Sequence, residues 1–173
     1  MNPCPLCGDR RTTDFAADHR RTFLRCGGCC LVFVPPHQHL SPGDEKKRYD
    51  LHRNSPSNEG YRRFLGRMLT ALAPLLTQGS DGLDFGSGSE PVLVRMFREA
   101  GFRMTPYDPF YGPDRAALER PYDFITATEV VEHLREPLRE LDPLWRRLRP
   151  GGVLGIMTRF APDRTAFARW HYK

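Results

Sequence analysis

The 173-residue chain has no apolar run of 18 or more residues, so its sequence offers no membrane-spanning helix. It shows no basic segment followed by an apolar stretch near its start, which argues against a secretion signal and places the expectation in the cytoplasm. Internal repeats are absent, and so is any long block of one charge sign. Among the first fifty residues eight basic side chains meet six acidic ones. Arg146, Arg147 and Arg149 read as the solvated end of a helix, where they complement its dipole, rather than as a binding patch. The net charge of +5 permits an acidic partner and leaves nucleic acid open without indicating it.

Two phosphate loops are also missing. No lysine follows the glycines as a G-x-x-x-x-G-K-[ST] loop requires, and Pro91 stands where a dinucleotide fingerprint needs its third small residue. A pyrophosphate at that turn would meet Glu90. What is present is Gly82-Leu83-Asp84-Phe85-Gly86-Ser87-Gly88-Ser89, which reads as a buried strand breaking into a tight glycine turn before a helix. Gly86 and Gly88 allow positive φ and close approach of a ligand, so the turn suits a nucleoside without a diphosphate. A plain strand–helix turn and a hairpin turn are the alternative readings of this stretch taken alone.

Downstream, residues 101–108 read as a second strand that ends in Asp108, 22 residues beyond Gly86. A carboxylate there can accept both ribose hydroxyls of a nucleoside, although Asp108-Pro109 also suits a turn. The run Tyr122-Asp123-Phe124-Ile125-Thr126-Ala127-Thr128 is predicted as the central strand beside the first. A helix is predicted over 137–149, with Leu138, Leu141, Leu144, Trp145 and Leu148 on one buried face, stopped by Pro150-Gly151-Gly152. Val153 to Thr158 supplies another strand. Before the glycine turn, residues 59–76 carry Phe64, Leu65, Met68, Leu69, Leu72 and Leu76 at amphipathic helix spacing.

The order L-D-F-G-S-G, Y-D-P, Y-D-F-I-T-A-T-E-V-V-E-H-L and L-R-P-G-G-V-L-G-I-M-T resembles the class I S-adenosylmethionine-dependent methyltransferases over residues 60–158. The resemblance implies an α/β fold, a Rossmann-like sheet with flanking helices, and S-adenosyl-L-methionine as cofactor. It implies that Asp84, Gly86, Ser87 and Gly88 shape the methionine and ribose end of the site and that Asp108 binds ribose. The turn Thr126 to Glu129 would border the cofactor, with Thr126 and Ala127 as cofactor-binding residues, and would face an acceptor that the sequence does not identify. Tyr61 or Arg62 on the preceding helix would reach the methionine carboxylate. A catalytic base is optional in such chemistry. The candidates are His133, whose unperturbed pKa suits the task, and Glu129, four residues earlier and on the same face if that segment is helical.

The pattern departs from the family in two places. Residues 109–120 are too few for a helix plus a full third strand with an adenine-gripping acid, and only fifteen residues follow Thr158, so the sheet is expected to lack the last two of seven strands, as a truncated copy or as one that another chain completes. Residues 159–173, with Phe160, Phe167, Trp170 and Tyr172, read as the start of the connection toward them.

Near the start, Cys4-Pro5-Leu6-Cys7 and Cys26-Gly27-Gly28-Cys29 form two C-x2-C pairs separated by eighteen residues. That spacing suits a tetrahedral zinc ribbon with Cys4, Cys7, Cys26 and Cys29 as ligands. The glycines let backbone N–H groups turn toward thiolate sulfur. The segment between the pairs is too short and polar to fold by burial alone. Cys30 is expected as a buried spare, and Pro35-Pro36-His37-Gln38-His39 as a solvated linker. The expected division is a ribbon over 1–40, a linker over 41–58 and the sheet domain over 59–173. From another class, a non-catalytic binding protein is the alternative. Its ribbon would engage RNA or protein, and the shortened sheet domain would serve as scaffold.

Overall fold

The computed structural model describes residues 2–51 and 55–170. Asn54 and Tyr172, assigned by the sequence to the linker and to the closing aromatic segment, lie outside them. The chain forms two compact units, one of residues 2–45, 135–140 and 159–170, the other of residues 46–51, 55–134 and 141–158.

The first unit is built on an antiparallel sheet of β1 (Thr12–Ala17), β2 (Thr22–Cys26) and β3 (Val32–Phe33), in that order. Alternation places Phe15 and Phe23 inward, while Cys26 and Phe33 pack with Cys4. The described part of the segment after the large sheet belongs to this unit. Its helix α5 (Arg164–Phe167), N-capped by Asp163, inserts Phe167 edge-on against Phe15 and Phe23 at 5.1 and 4.9 Å. Burying such a ring contributes roughly 1.5–3 kcal/mol, a large share for so small a sheet. The presumed linker around His37 is likewise fastened to the ribbon. Gln38 Oε1 accepts from Thr22 N–H and Oγ1–H, and His39 Nε2 lies 3.0 Å from the Val34 carbonyl, while His37 is exposed.

The second unit is a four-stranded parallel sheet, consistent with the expected Rossmann-like class. Its strands are β4 (Asp81–Phe85), β5 (Arg103–Tyr107), β6 (Tyr122–Thr128) and β7 (Leu148–Met157), arranged β5-β4-β6-β7. One face is covered by α2 (Glu59–Leu72) and α3 (Val92–Glu99), through Leu65, Met68, Leu72, Val92 and the stacked rings of Phe97 and Phe124. On the other face Leu83, Tyr122, Ile125 and Ala127 pack against Leu144 of α4 (Pro137–Arg146). After β4 the chain crosses to β5 on one side and then returns to place β6 on the other. The strand order therefore reverses between β4 and β6. In open α/β sheets a ligand crevice forms beyond the carboxyl ends at such a point.

Three elements differ from the sequence reading. Residues 41–58 carry a helix, α1 (Pro42–Tyr49), whose start is marked by Asp44 N–H and Oδ2 bonding Ser41 Oγ. The helix α4 ends at Arg146, and β7 begins at Leu148, running through Pro150, Gly151 and Gly152. An edge strand tolerates a residue that donates no hydrogen bond, and a register irregularity opposite Asp123 absorbs the turn. On α4 the expected buried face is only partly so: Leu144 is buried, but Leu138 and Trp145 are 51% and 62% exposed. Among the described residues, no helix is long and apolar enough to cross a membrane.

Candidate functional site

The carboxyl ends of β4, β5 and β6 gather the residues the sequence singled out. Gly86 and Gly88 adopt φ of +77° and +70°. At Gly86 a Cβ would collide with the Val130 methyls, so the turn after β4 lies against the turn after β6. At Gly88 a Cβ would meet nothing within 4 Å, so the backbone there borders open space. The Tyr107 carbonyl accepts from the N–H groups of Gly86 and Ser87, which sets the loop on the end of β5. The helix α3 starts only at Val92, so the loop is longer than the sequence suggests.

Asp108 closes the arrangement. Its Oδ2 accepts from Gly88 N–H at 2.9 Å, and its Oδ1 accepts from the N–H groups of Phe110 and Tyr111 at 2.8 and 3.1 Å. The side chain is 7% exposed, and Oδ2 keeps an acceptor position beside the open space at Gly88.

Beneath the glycine loop, Asp84 is 4% exposed and accepts from Thr126 Oγ1 at 2.7 Å. Burial pushes its carboxyl up to about 7, opposed by the Thr126 hydroxyl and assisted by the nearby charge of Asp108. Tyr61 of α2 faces the same region. Its phenol is raised above its ordinary value first by burial and then by the charges of Asp84 and Glu129. Thr126 and Ala127, expected to border the cofactor, are wholly buried. Thr126 is committed to Asp84, and Ala127 packs in the core on the opposite face, so they shape the site from beneath. Arg62 is engaged elsewhere, with Nη2 donating to Glu99 Oε2 at 2.6 Å across α2 and α3.

Glu129 has φ of +56°, a left-handed conformation for a residue with a side chain, and its N–H donates to the Met157 carbonyl. The helical segment expected to start at Glu132 is a single 3-10 turn, Val131–His133. Glu129 and His133 therefore do not share a helical face, which removes the spacing argument that paired them. His133 is exposed, with its ring edge-on to Tyr49 at 5.6 Å. Tyr49 also meets Phe110 at 5.7 Å, so the end of α1 joins the loop after β5 to the turn after β6. Beside it Asp50 accepts from Tyr111 O–H at 2.6 Å and from Lys46 Nζ at 3.0 Å, and Lys46 lies over the Tyr111 ring. Sequence reasoning missed this strap. Its signal was the S-x-x-D start at Ser41 and the Lys46–Asp50 spacing of four, which the surrounding Pro and Gly obscured.

The second site lies in the ribbon. The Sγ atoms of Cys4, Cys7, Cys26 and Cys29 all fall within 4.8 Å of one another, with Cys4–Cys29 at 3.5 Å and Cys7–Cys26 at 3.6 Å. Four sulfurs about 2.3 Å from a tetrahedral zinc are about 3.8 Å apart, so the four cysteines fit a zinc site. The N–H groups of Cys29 and Gly28 point at Cys26 Sγ and hold that thiol down to about 7, the thiolate-favouring contact expected of the glycine knuckle. Cys30 is exposed with φ of +63°, not buried: the turn that closes the second pair swings its side chain outward.

The residues present also suit a nucleoside cofactor. The glycine loop leaves space where a side chain would stand, a fixed carboxylate flanks it, and the buried hydroxyl of Thr128 has no hydrogen-bond partner among the described residues. A family model described as a methyltransferase domain matches residues 57–173. No curated protein matches the chain.

Proposed function

The chain belongs to the methyltransferase-domain family of class I S-adenosylmethionine-dependent enzymes, and from that premise we propose that it catalyses methyl transfer from S-adenosyl-L-methionine to an acceptor still to be identified. The observation that carries this reading is the Asp108 carboxylate fixed on Gly88 N–H beside open space at the strand-order reversal.

When bound, the cofactor supplies an activated methyl group. The chain's own residues bind, orient and exclude water. Asp108 Oδ2 accepts from a ribose hydroxyl, and the backbone of Gly86, Ser87 and Gly88 lets the nucleoside lie against the main chain. Asp84, held by Thr126, supports the methionine end with Tyr61 above it. Tyr49, with Phe110 and His133, walls the mouth against water. Glu129 and His133 form the acceptor-facing rim, each able to hold a proton where the acceptor needs one removed. In the ribbon, Cys4, Cys7, Cys26 and Cys29 hold one zinc ion, whose role is to fasten a sheet too small to fold by burial.

Calorimetric titration of the zinc-loaded, folded chain with S-adenosylmethionine tests the reading, and saturable binding at one site per chain is expected. Absence of heat and of thermal stabilisation at millimolar cofactor refutes it and favours the scaffold alternative.

A further inference from the structure

A second cleft, of about 410 Å³, opens on the outer edge of the large sheet, where Arg98, Arg103, Arg120, Asp81, Met104 and Thr105 line it. There β5 pairs only with β4, so its far side is a free edge. Arg103 N–H donates to the Ser80 carbonyl, and the Tyr107 carbonyl accepts from Gly86 and Ser87. Backbone groups alternate in direction along a strand, so those of Met104 point outward over the free edge. Side chains alternate as well: Met104 packs with α3 on one face, whereas Arg103 and Thr105 stand on the other with Tyr107.

The three arginines reach this edge from three elements. Arg98 comes from α3, with Nε and Nη2 both donating to the Met104 carbonyl, at 3.0 and 2.6 Å. Arg120 comes from the loop before β6, lies over the Tyr122 ring and donates from Nη2 to Thr105 Oγ1 at 3.1 Å. From β5, Arg103 forks onto Asp81, Nε on Oδ1 at 2.7 Å and Nη2 on Oδ2 at 3.0 Å, which leaves Nη1 outside the pair.

Their charge is not balanced. Asp81 and Asp123 are the carboxylates of this network, and Arg149 meets both, at 3.7 and 2.8 Å. Glu99, next to Arg98 in the chain, is held by Arg62. Arg98 and Arg120 have no ion pair among the described residues; their partners are neutral groups that fix the guanidinium planes without cancelling the charge. Like charges gathered in this way repel one another, and a bound anion relieves the repulsion. Guanidinium forks match the oxygens of carboxylates and phosphates. A carboxylate has two oxygens in one plane, which one fork fills. A phosphate has oxygens on all sides, which suits donors arriving from both faces of the sheet and from its edge.

We infer that this edge is a binding site for a phosphoanion. Arg103 and Arg120 donate from one face, Arg98 from the other, and the outward Met104 N–H from between them. Arg103 and Thr105 stand five and three positions before Asp108, roughly 10–17 Å along the strand, so the site is separate from the crevice at the carboxyl ends.

The test titrates isotope-labelled, zinc-loaded full chain with pyrophosphate and, separately, with hexathymidylate, whose phosphates are all diesters, at constant ionic strength. Saturable shifts of the Arg98 and Arg120 Nε–H signals and of the Met104 amide are expected, and the probe that binds more tightly tells a free phosphoanion from a nucleic-acid backbone as the source. Arg120→Gln and Arg98→Gln are each expected to weaken that binding about tenfold, and Arg120→Lys, which keeps the charge but loses the fork, about threefold. Arg67→Gln removes an exposed charge on α2 that does not line the cleft, and is expected to cost less than about twofold. The same spectra show whether each variant is folded. Should Arg98→Gln fail to fold for want of a donor to the Met104 carbonyl, Arg120→Gln decides alone. Equal weakening by Arg67→Gln and Arg120→Gln, shifts that do not saturate with either probe, or shifts that leave these three groups unmoved overturn the inference.

Discussion

Replacing Asp108 by asparagine separates the structural from the ligand-binding part of its role. The native carboxylate accepts three backbone N–H groups, two on Oδ1 and one, from Gly88, on Oδ2. Asparagine keeps its carbonyl on Phe110 and Tyr111 but turns an NH2 group toward Gly88 N–H, so one acceptor is lost and two donors face each other. A hydrogen bond to a charged group contributes about 1.5–3 kcal/mol, and an unpaired buried donor adds a further penalty, so the loss is about 2–4 kcal/mol. For a chain of this length each kcal/mol moves the melting temperature by about 2–4 °C, giving a fall of roughly 5–15 °C. Urea denaturation and calorimetric scanning read the stability, and titration with S-adenosylhomocysteine reads the site. Affinity is expected to fall more than tenfold at temperatures where the variant is still folded. A stability change below about 0.5 kcal/mol would show that Asp108 is not the clamp between the two loops, and unchanged affinity in a folded variant would remove its ribose role.

Three further outcomes are expected. Because the folded chain holds the Asp84 proton up to about 7 against an ordinary value of 3.8, the folded state binds more protons than the unfolded one as pH rises through this window. The resulting destabilisation is absent below about pH 4 and grows to as much as about 4 kcal/mol above pH 7. Asp84→Asn, which still accepts from Thr126, is expected to remove it. Urea midpoints at pH 5 and pH 8 measure the difference, and identical pH slopes for variant and native chain refute the burial argument. Metal analysis of reduced protein is expected to return about one zinc per chain, and chelation to red-shift the emission of Trp170, whose ring packs on Phe167 at 5.5 Å, in a Trp145→Phe background. Complete metal removal without a spectral change would deny zinc a structural role. Tyr111→Phe deletes the hydrogen bond to Asp50 that ties down the end of α1. Tryptic cleavage after Lys46, Lys47 and Arg48 is expected to accelerate, and an unchanged cleavage rate, followed by mass spectrometry, counts against the strap.

Legibility in the sequence followed locality. The strand before Gly86, the strand ending at Asp108 and the strand over 122–128 were readable because apolar alternation and a glycine break are local signals. The cysteine quartet was readable because the ligand spacing itself encodes the geometry. What escaped depended on partners distant in the chain. Leu148 lies within the apolar periodicity of a helix, yet pairing with Tyr122 draws it into β7. Thr126 reads as a lining residue until Asp84, 42 positions earlier, is seen to occupy its hydroxyl. Glu129 and His133 looked like one helical face because the left-handed turn at Glu129 has no sequence marker in a residue other than glycine or asparagine.

The Phe167 ring also has a consequence for synthesis. It packs edge-on against Phe15 and Phe23, so the ribbon strands, which are translated before Phe167, lack that apolar contact until Phe167 has been made. At about 5–20 residues per second that interval is on the order of ten to thirty seconds. During it the nascent ribbon has its own strand pairing, the small cluster of Cys4, Cys26 and Phe33, and the four thiolates that suit a metal. Early metal capture is then what protects an exposed aromatic pair from aggregation, and starving cells of zinc during translation would harm yield more than removing zinc from the finished protein.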